Sequence, residues 1–317
     1  MVVLSLFDGM SCGRIALERN GIKVDKYYAS EIDKYAIKVS EDNYPDIVRI
    51  GDVTEWRDWD IDWSSVDLLI GGSPCQGFSF AGKQLAFDDP RSKLFFTFLD
   101  IKNHIQSLNP NLKFILENVK MKKETLDAIS DLMGVQPVFI NSSLLSAQNR
   151  QRFYWCSSDV SQPEDKGIKL PYILESGVVD RDKSFCIDAN YFKGGNLKSY
   201  FEKHRRQLVM YQPCKVSERG RRLTVCGTRR DDKLGEVVRG YEVTVDGKSG
   251  NLATVLKDNY VCEDYVIRKL TPIECERLQT VPDNYTKAVS NTQRYKMLGN
   301  GWTVDVICHI LKEIGVF

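Results

Sequence analysis

The stretch Val66-Asp67-Leu68-Leu69-Ile70-Gly71-Gly72-Ser73-Pro74-Cys75-Gln76-Gly77-Phe78-Ser79 decides the fold. Its first five residues form a short apolar, partly β-branched run with the character of a buried parallel strand, so Cys75 falls just past a strand's carboxyl end. Open α/β sheets bind ligands at that edge. Pro74 fixes the approach of the chain, and Gly71, Gly72 and Gly77 let the backbone crowd a ligand. The loop presents one thiol on a stiff mount. A small buried hydrophobe is the plainer reading of Cys75 when the loop is taken alone.

Toward the N-terminus, residues 2–6 read as a first strand running into Phe7-Asp8-Gly9-Met10-Ser11-Cys12-Gly13. Residues 14–20 then have helical spacing that Gly21 ends. Strand, glycine turn and helix together bring backbone N–H groups close to a cofactor. The spacing is not the Gly-x-Gly-x-x-Gly of nicotinamide enzymes. Residues 26–30 read as a second strand ending at Glu31-Ile32, where a doubly wound domain puts an acid on ribose hydroxyls. Gly51-Asp52-Val53 follows a third short strand, and the Asp52 carboxylate suits an adenine amino group. Either acid also reads as a helix cap or a solvated loop charge.

Beyond the thiol loop, Leu94, Phe95, Phe98, Ile101 and Ile105 make a helical stripe over residues 92–108. Residues 113–116 form another buried strand, which delivers Glu117-Asn118-Val119 to the same sheet edge as Cys75. A further strand is expected over 138–145, followed by Gln148-Asn149-Arg150-Gln151-Arg152. Arginines two apart on an extended segment point the same way, and their planar forks suit a carbonyl oxygen or phosphates. An exposed arginine pair is more usually a solvated face.

Composition sets the frame. A chain of 317 residues can bury a large core and suits one catalytic domain with a smaller second one. Nine cysteines with no Cys-x-x-Cys pair argue against a disulfide framework and against zinc, and point to a reducing cytoplasm. No apolar run approaches membrane-spanning length, and the N-terminus lacks the basic flank of a signal peptide. The formal charge of +1 hides an asymmetry: residues 198–239 carry twelve Lys/Arg and five Asp/Glu, net +7, leaving −6 for the rest. A change to Ser, Asp, Gln, Pro and Gly over 157–167 marks the start of a second domain. Its basic clusters, Arg205-Arg206, Arg219-Gly220-Arg221-Arg222 and Arg229-Arg230, are interleaved with aromatics such as Tyr191 and Tyr200, which suits phosphate contact and base reading. Thr271, Pro272 and Glu274 then form the N-cap, first position and capping-box partner of a helix. After Gly299-Asn300-Gly301-Trp302 comes a last amphipathic helix, expected to pack beside the first strand so that both chain ends build the catalytic domain.

Taken in order, Pro74-Cys75-Gln76, Glu117-Asn118-Val119, the Gln-x-Arg-x-Arg of Gln148, Arg150 and Arg152, the helix opened by Thr271-Pro272, and Gly299-Asn300 resemble the motifs of the cytosine-C5 DNA methyltransferase family. The resemblance covers nearly the whole chain. It implies an α/β fold, a Rossmann-like S-adenosylmethionine-dependent methyltransferase sheet with a smaller target recognition domain. Residues 1–156 and 268–317 would be catalytic, and 157–267 would read DNA. Cys75 is then the nucleophile, Glu117 the acid, Arg152 a contact of the target base and Arg150 a brace for the catalytic loop. Phe7, Gly9, Gly13, Glu31, Ile32, Asp52, Val53, Pro74, Leu94 and Asn300 would form the pocket for S-adenosyl-L-methionine, which leaves as S-adenosyl-L-homocysteine. Gln76, Ser79, Arg205, Arg206, Arg219, Arg221, Arg222, Arg229 and Arg230 would meet DNA, and no metal is expected. Phe7-Asp8-Gly9 departs from the commoner Phe-x-Gly-x-Gly-Gly form, and Gly301-Trp302 replaces the usual Ser-Val; both lean toward the eukaryotic de novo subgroup and some phage enzymes.

The chemistry fits those residues. Cytosine C5 is a poor nucleophile, so a thiolate first adds at C6, and charge pushed to N3 is met by a carboxyl proton. Duplex DNA hides C6 in the stack, so the base must flip out. The expected partners are double-stranded DNA and, for a restriction-modification enzyme, a cognate restriction endonuclease. A monomer in the cytoplasm of a bacterial or phage-infected cell is expected, with no membrane. A transfer-RNA cytosine-C5 methyltransferase would use the same Cys and Glu chemistry. A non-catalytic DNA-binding relative is disfavoured by the presence of both residues, and a nicotinamide oxidoreductase by the glycine pattern.

Overall fold

Seven strands form one twisted sheet with helices on both faces. The computed structural model describes residues 1–73, 90–195, 197–210, 215–222, 237–244, 259–260 and 267–316. The strands are β1 (Val2–Leu6), β2 (Lys26–Ser30), β3 (Val48–Gly51), β4 (Leu68–Gly71), β5 (Lys113–Val119), β6 (Val138–Asn141) and β7 (Gln151–Cys156), in the order β3-β2-β1-β4-β5-β7-β6. All neighbours pair parallel except β7, which runs antiparallel to β5 and β6. Strand β1 pairs with β2 on one side and β4 on the other, so the chain reverses its winding there. The crevice at that switch point is where such sheets bind ligands.

Burial on both faces explains why the central strands are apolar runs rather than alternating ones. Val3, Leu68, Ile70 and Ile115 share one core with Ile15, Ala16 and Leu17 of α1 (Cys12–Arg19) and Val39 of α2 (Lys34–Asn43). Leu4, Leu6, Leu69 and Leu116 face the other way, onto Phe95, Phe98 and Ile105 of α3 (Pro90–Leu108) and Ile129 and Met133 of α4 (Lys123–Met133). After the sheet come the short α5 (Leu197–Phe201), β8 (Leu208–Met210) and a three-stranded antiparallel sheet, β10-β9-β11, of β9 (Lys215–Arg222), β10 (Val237–Thr244) and β11 (Asn259–Tyr260). Lys-Val-Ser-Glu-Arg-Gly-Arg-Arg has almost no apolar alternation, which is why β9 is invisible to pattern reading.

Strand β12 (Ile267–Lys269) returns to pair with β8 and leads into α6 (Pro272–Leu278). Here the sequence reading holds in detail. Thr271 caps the Glu274 N–H, Glu274 reaches back to the Thr271 N–H, and Pro272 opens the helix. Helices α7 (Asn291–Asn300) and α8 (Val304–Glu313) finish the chain. Helix α8 docks on α1, and its Ile307 and Ile310 share one core with Val3 of β1. Nδ2 of Asn20 donates to the Cys308 carbonyl at 2.9 Å, and Arg19 pairs with Asp305. Among the described residues no helix is long and apolar enough to cross a membrane, and no group of His, Cys, Asp or Glu could hold a metal ion.

Candidate active site

A cavity of 610 Å³ opens at the carboxyl ends of β1, β2, β4 and β5. Phe7 follows β1 with φ 56° and Gly9 has φ 58°, so the chain turns sharply over the cavity before α1. Glu31, one residue past β2, ties that turn to the next. Its Oε2 accepts the Gly9 N–H at 2.8 Å, and its Oε1 accepts the Ile32 and Asp33 N–H groups, each at 2.8 Å. A carboxylate has about four acceptor positions; among the described residues three are used by the backbone, which leaves one for a ligand. Beside it, Phe7, Ile32, Val53 and Leu94 line an apolar wall, with Ile32 72% exposed. An acid with an open acceptor site next to an apolar wall fits a nucleoside, hydroxyls on the acid and base against the wall.

Asp52 also lines the cavity while capping a short 3-10 turn, its Oδ1 accepting the Thr54 N–H and hydroxyl, each at 2.9 Å. The cap reading of that acid is thus seen directly, and its place on the cavity leaves it within reach of a ligand. Asn300, the last residue of α7, is on the cavity as expected. Gly13 is not. It lies inside α1, where a Cβ would stand 2.3 Å from Cδ1 of Ile70 and 3.1 Å from the Tyr27 hydroxyl. Its glycine is needed to pack the helix onto the sheet, not to approach a cofactor. Pro74, Cys75, Gln76 and Ser79 lie outside the described residues; Gly72 and Ser73, just before them in sequence, line the cavity.

Sequence reasoning passed over Asp8. It is buried under the turn, with hydrogen bonds from the Tyr27 hydroxyl at 2.8 Å and from Ser11, and Arg49 stands 3.5 Å away. Burial pushes its carboxyl above the ordinary value, against the pull of those partners. An acid wedged between Phe7 and Gly9 in a cofactor turn was the available signal.

The other end of the cavity is built by the antiparallel pair β5 and β7. Glu117 sits within β5 rather than beyond it, and Arg152 reaches it from β7, Nε to Oε1 at 2.7 Å. Burial works against the guanidinium charge, but the Glu117 carboxylate together with Cys186 and Tyr154 outweighs it and holds Arg152 above its usual pKa. Nε1 of Trp302 donates to Oε2 of Glu117 at 3.3 Å. Arg150 and Arg152 both line the cavity, as their two-residue spacing implies. They do different work. Arg150 is buried and donates to the carbonyls of Ile187 at 3.2 Å and Gly301 at 2.8 Å, and twice to that of Gly299. It braces the turn between α7 and α8; the cysteine loop, which it was expected to brace, lies outside the described residues. Gln148 is equally structural, donating to the Leu278 carbonyl at 2.8 Å and to Gln279 Oε1 at 2.9 Å.

Of the basic residues, Arg205 pairs with Asp188, and Arg206 donates to the Lys193 carbonyl at 3.4 Å. Arg219, Arg221 and Arg222 belong to β9, while Arg229 and Arg230 lie outside the described residues.

Comparison with known proteins agrees with this geometry. The family model described as C-5 cytosine-specific DNA methylase matches residues 1–316. The Type II methyltransferase M1.ScrFI of Lactococcus lactis subsp. cremoris is 30% identical, over 98% of this chain and 77% of its own length. M.HhaI of Haemophilus parahaemolyticus is 28% identical, over 98% of this chain and 93% of its own. Among solved structures, the Entamoeba histolytica methyltransferase EhMeth superposes with a TM-score of 0.63 at 15% identity, covering 99% of this chain and 97% of that one, which speaks to the fold alone. With a family match over almost its whole length and a methyltransferase sheet carrying acids at both ends of one cavity, the chain belongs to the C-5 cytosine-specific DNA methylases.

Proposed function

We propose that this DNA cytosine-C5 methyltransferase binds S-adenosylmethionine in the half of the cavity around Glu31 and the target cytosine in the half around Glu117, with Cys75 as nucleophile. The observation that carries the reading is that one cavity holds both ends: Glu31 with an open acceptor site, and the Glu117–Arg152 pair. Bound there, S-adenosylmethionine supplies an electrophilic methyl group on a sulfonium. Glu31 takes a ribose hydroxyl, Asp52 the adenine amino group, and Phe7, Ile32 and Val53 the faces of the base. The Cys75 thiolate adds to C6 of the cytosine, the ring electrons move toward N3, and the Glu117 carboxyl proton neutralises N3. C5 becomes the nucleophile. Arg152, tied to Glu117, presents donors to the cytosine carbonyl oxygen. C5 takes the methyl group, and loss of the C5 proton to a base, return of the N3 proton to Glu117 and departure of the Cys75 thiolate restore the ring.

Duplex DNA is the substrate, with the cytosine extruded from the stack. Residues 157–267 act as the recognition domain, and its basic stretch, with Arg205, Arg206, Arg219, Arg221, Arg222, Arg229 and Arg230, meets the backbone and base edges together with Gln76 and Ser79. The Type II relatives support a restriction-modification setting in a bacterial cytoplasm, with a cognate restriction endonuclease as counterpart and a monomeric methyltransferase. The test is Glu117→Gln. It keeps calorimetric binding of S-adenosylmethionine and lowers methyl transfer to duplex DNA by a factor on the order of 100. Full activity in that variant contradicts the assignment.

A further inference from the structure

Both oxygens of Glu117 are held, and the two holds are unlike. Oε1 faces Nε of Arg152 at 2.7 Å, a charge-assisted contact. Oε2 faces the indole N–H of Trp302 at 3.3 Å, a neutral donor. Gly72 admits both groups: a Cβ there would stand 2.9 Å from Oε2 and 3.0 Å from Trp302 Nε1. Three segments far apart in sequence therefore meet at one carboxyl oxygen, and one of them is the tryptophan that departs from the common Ser-Val pattern.

The proton destined for cytosine N3 needs an oxygen to sit on. On Oε1 it would oppose a guanidinium that never gives up its own protons. On Oε2 one lone pair accepts the indole N–H, and the other is available for an O–H. Indole nitrogen accepts nothing, so an O–H on Oε2 finds no partner in Trp302 and turns into the cavity. A serine or asparagine at 302 would offer such a partner. Resting on Glu117 as the acid of the proposed function, we infer that Trp302 is a positioning residue that fixes Oε2 of Glu117 as the proton-donating oxygen.

Trp302→Phe keeps a ring in place and removes the N–H. Single-turnover and steady-state methylation are measured for this variant, for Glu117→Gln and for the double variant. The expected result is a kcat about tenfold lower with KM for cofactor and DNA within about twofold, as the loss of one hydrogen bond implies. In the Glu117→Gln background the tryptophan substitution changes the rate no further, because no acid proton remains to be placed. A raised cofactor KM at unchanged kcat, or a loss that persists without Glu117, overturns the inference and leaves Trp302 as cavity wall. Wild-type turnover by Glu117→Gln alone is a different outcome, the failure of the acid assignment itself. Should Trp302→Phe not fold, the indole N–H resonance of Trp302 in the 15N-labelled full chain is to move on Glu117→Gln, and an unmoved resonance overturns the proposal.

Discussion

Nη2 of Arg150 lies 2.8 Å from the carbonyl oxygen of Gly301, which joins the entry to β7 to the turn before α8 across 151 residues of sequence. The same guanidinium holds Gly299 and Ile187, and Gly299 and Gly301 line the cavity. The turn that carries Asn300 and Trp302 is thus set by one buried charge. Arg150→Met keeps length and apolar contact but strands those carbonyls, and should lower unfolding free energy by about 3 kcal/mol. A lower urea midpoint at unchanged m-value reports it. An unaltered midpoint would show that water replaces the guanidinium at no cost.

Glu31→Gln replaces one acceptor oxygen by an amide donor facing backbone N–H groups. Cofactor affinity should fall roughly 10- to 100-fold, while kcat at saturating cofactor stays near wild type, since the acid lies away from the reacting base. Titration calorimetry and a cofactor KM separate the two. A kcat defect at saturation would contradict a role confined to binding.

Gly13→Ala distinguishes packing from cofactor contact. With Ile70 Cδ1 2.3 Å from the new methyl group, the buried Ile70 side chain must turn aside or α1 must shift on the sheet, at about 1–3 kcal/mol. Stability falls, and cofactor affinity changes only as far as the Phe7–Gly9 turn is dragged along. Wild-type stability with lost cofactor binding would make Gly13 a cofactor contact instead.

That glycine shows where sequence reading stops. A Gly-x-x-x-Gly spacing after a strand looks alike whether the second glycine serves a ligand or a neighbouring strand, and only the approach of Ile70 decides. Strands β2 and β4, helix α3 and the Thr271 capping box were legible because burial and capping leave local patterns. The alignment of Arg150 and Arg152 on one cavity was legible from strand alternation. Their division of labour was not: Arg150 meets carbonyls 149 and 151 residues away. Trp302 stood out in sequence only as an odd residue in a known motif, and its partner Glu117 is 185 residues distant.

Asp8 makes a pH prediction. Its carboxyl is pushed above 3.8 by burial, with Ser11, Ser5, Tyr27 and Arg49 pulling down without cancelling the rise. Between the unfolded value near 3.8 and the higher native one, the native state binds more protons than the unfolded chain, so this group's contribution falls as pH rises through that window. Asn has no such slope. The unfolding free energy of Asp8→Asn minus that of wild type should therefore climb from about pH 4 upward and level off above the native value. Urea titrations at a series of pH values read it directly, and a difference that shrinks with rising pH contradicts the burial argument.

The central claim, covalent catalysis by Cys75 on a flipped cytosine, is tested most directly with a duplex carrying 5-fluorocytosine. Fluorine at C5 does not leave as a proton would, so an attacking thiolate stays bonded to C6 after methyl transfer. Incubation with S-adenosylmethionine is predicted to give a denaturation-stable protein–DNA adduct, with the cross-linked peptide containing Cys75. No adduct on duplex DNA, an adduct formed only with RNA, or a cross-link through another residue would contradict the account.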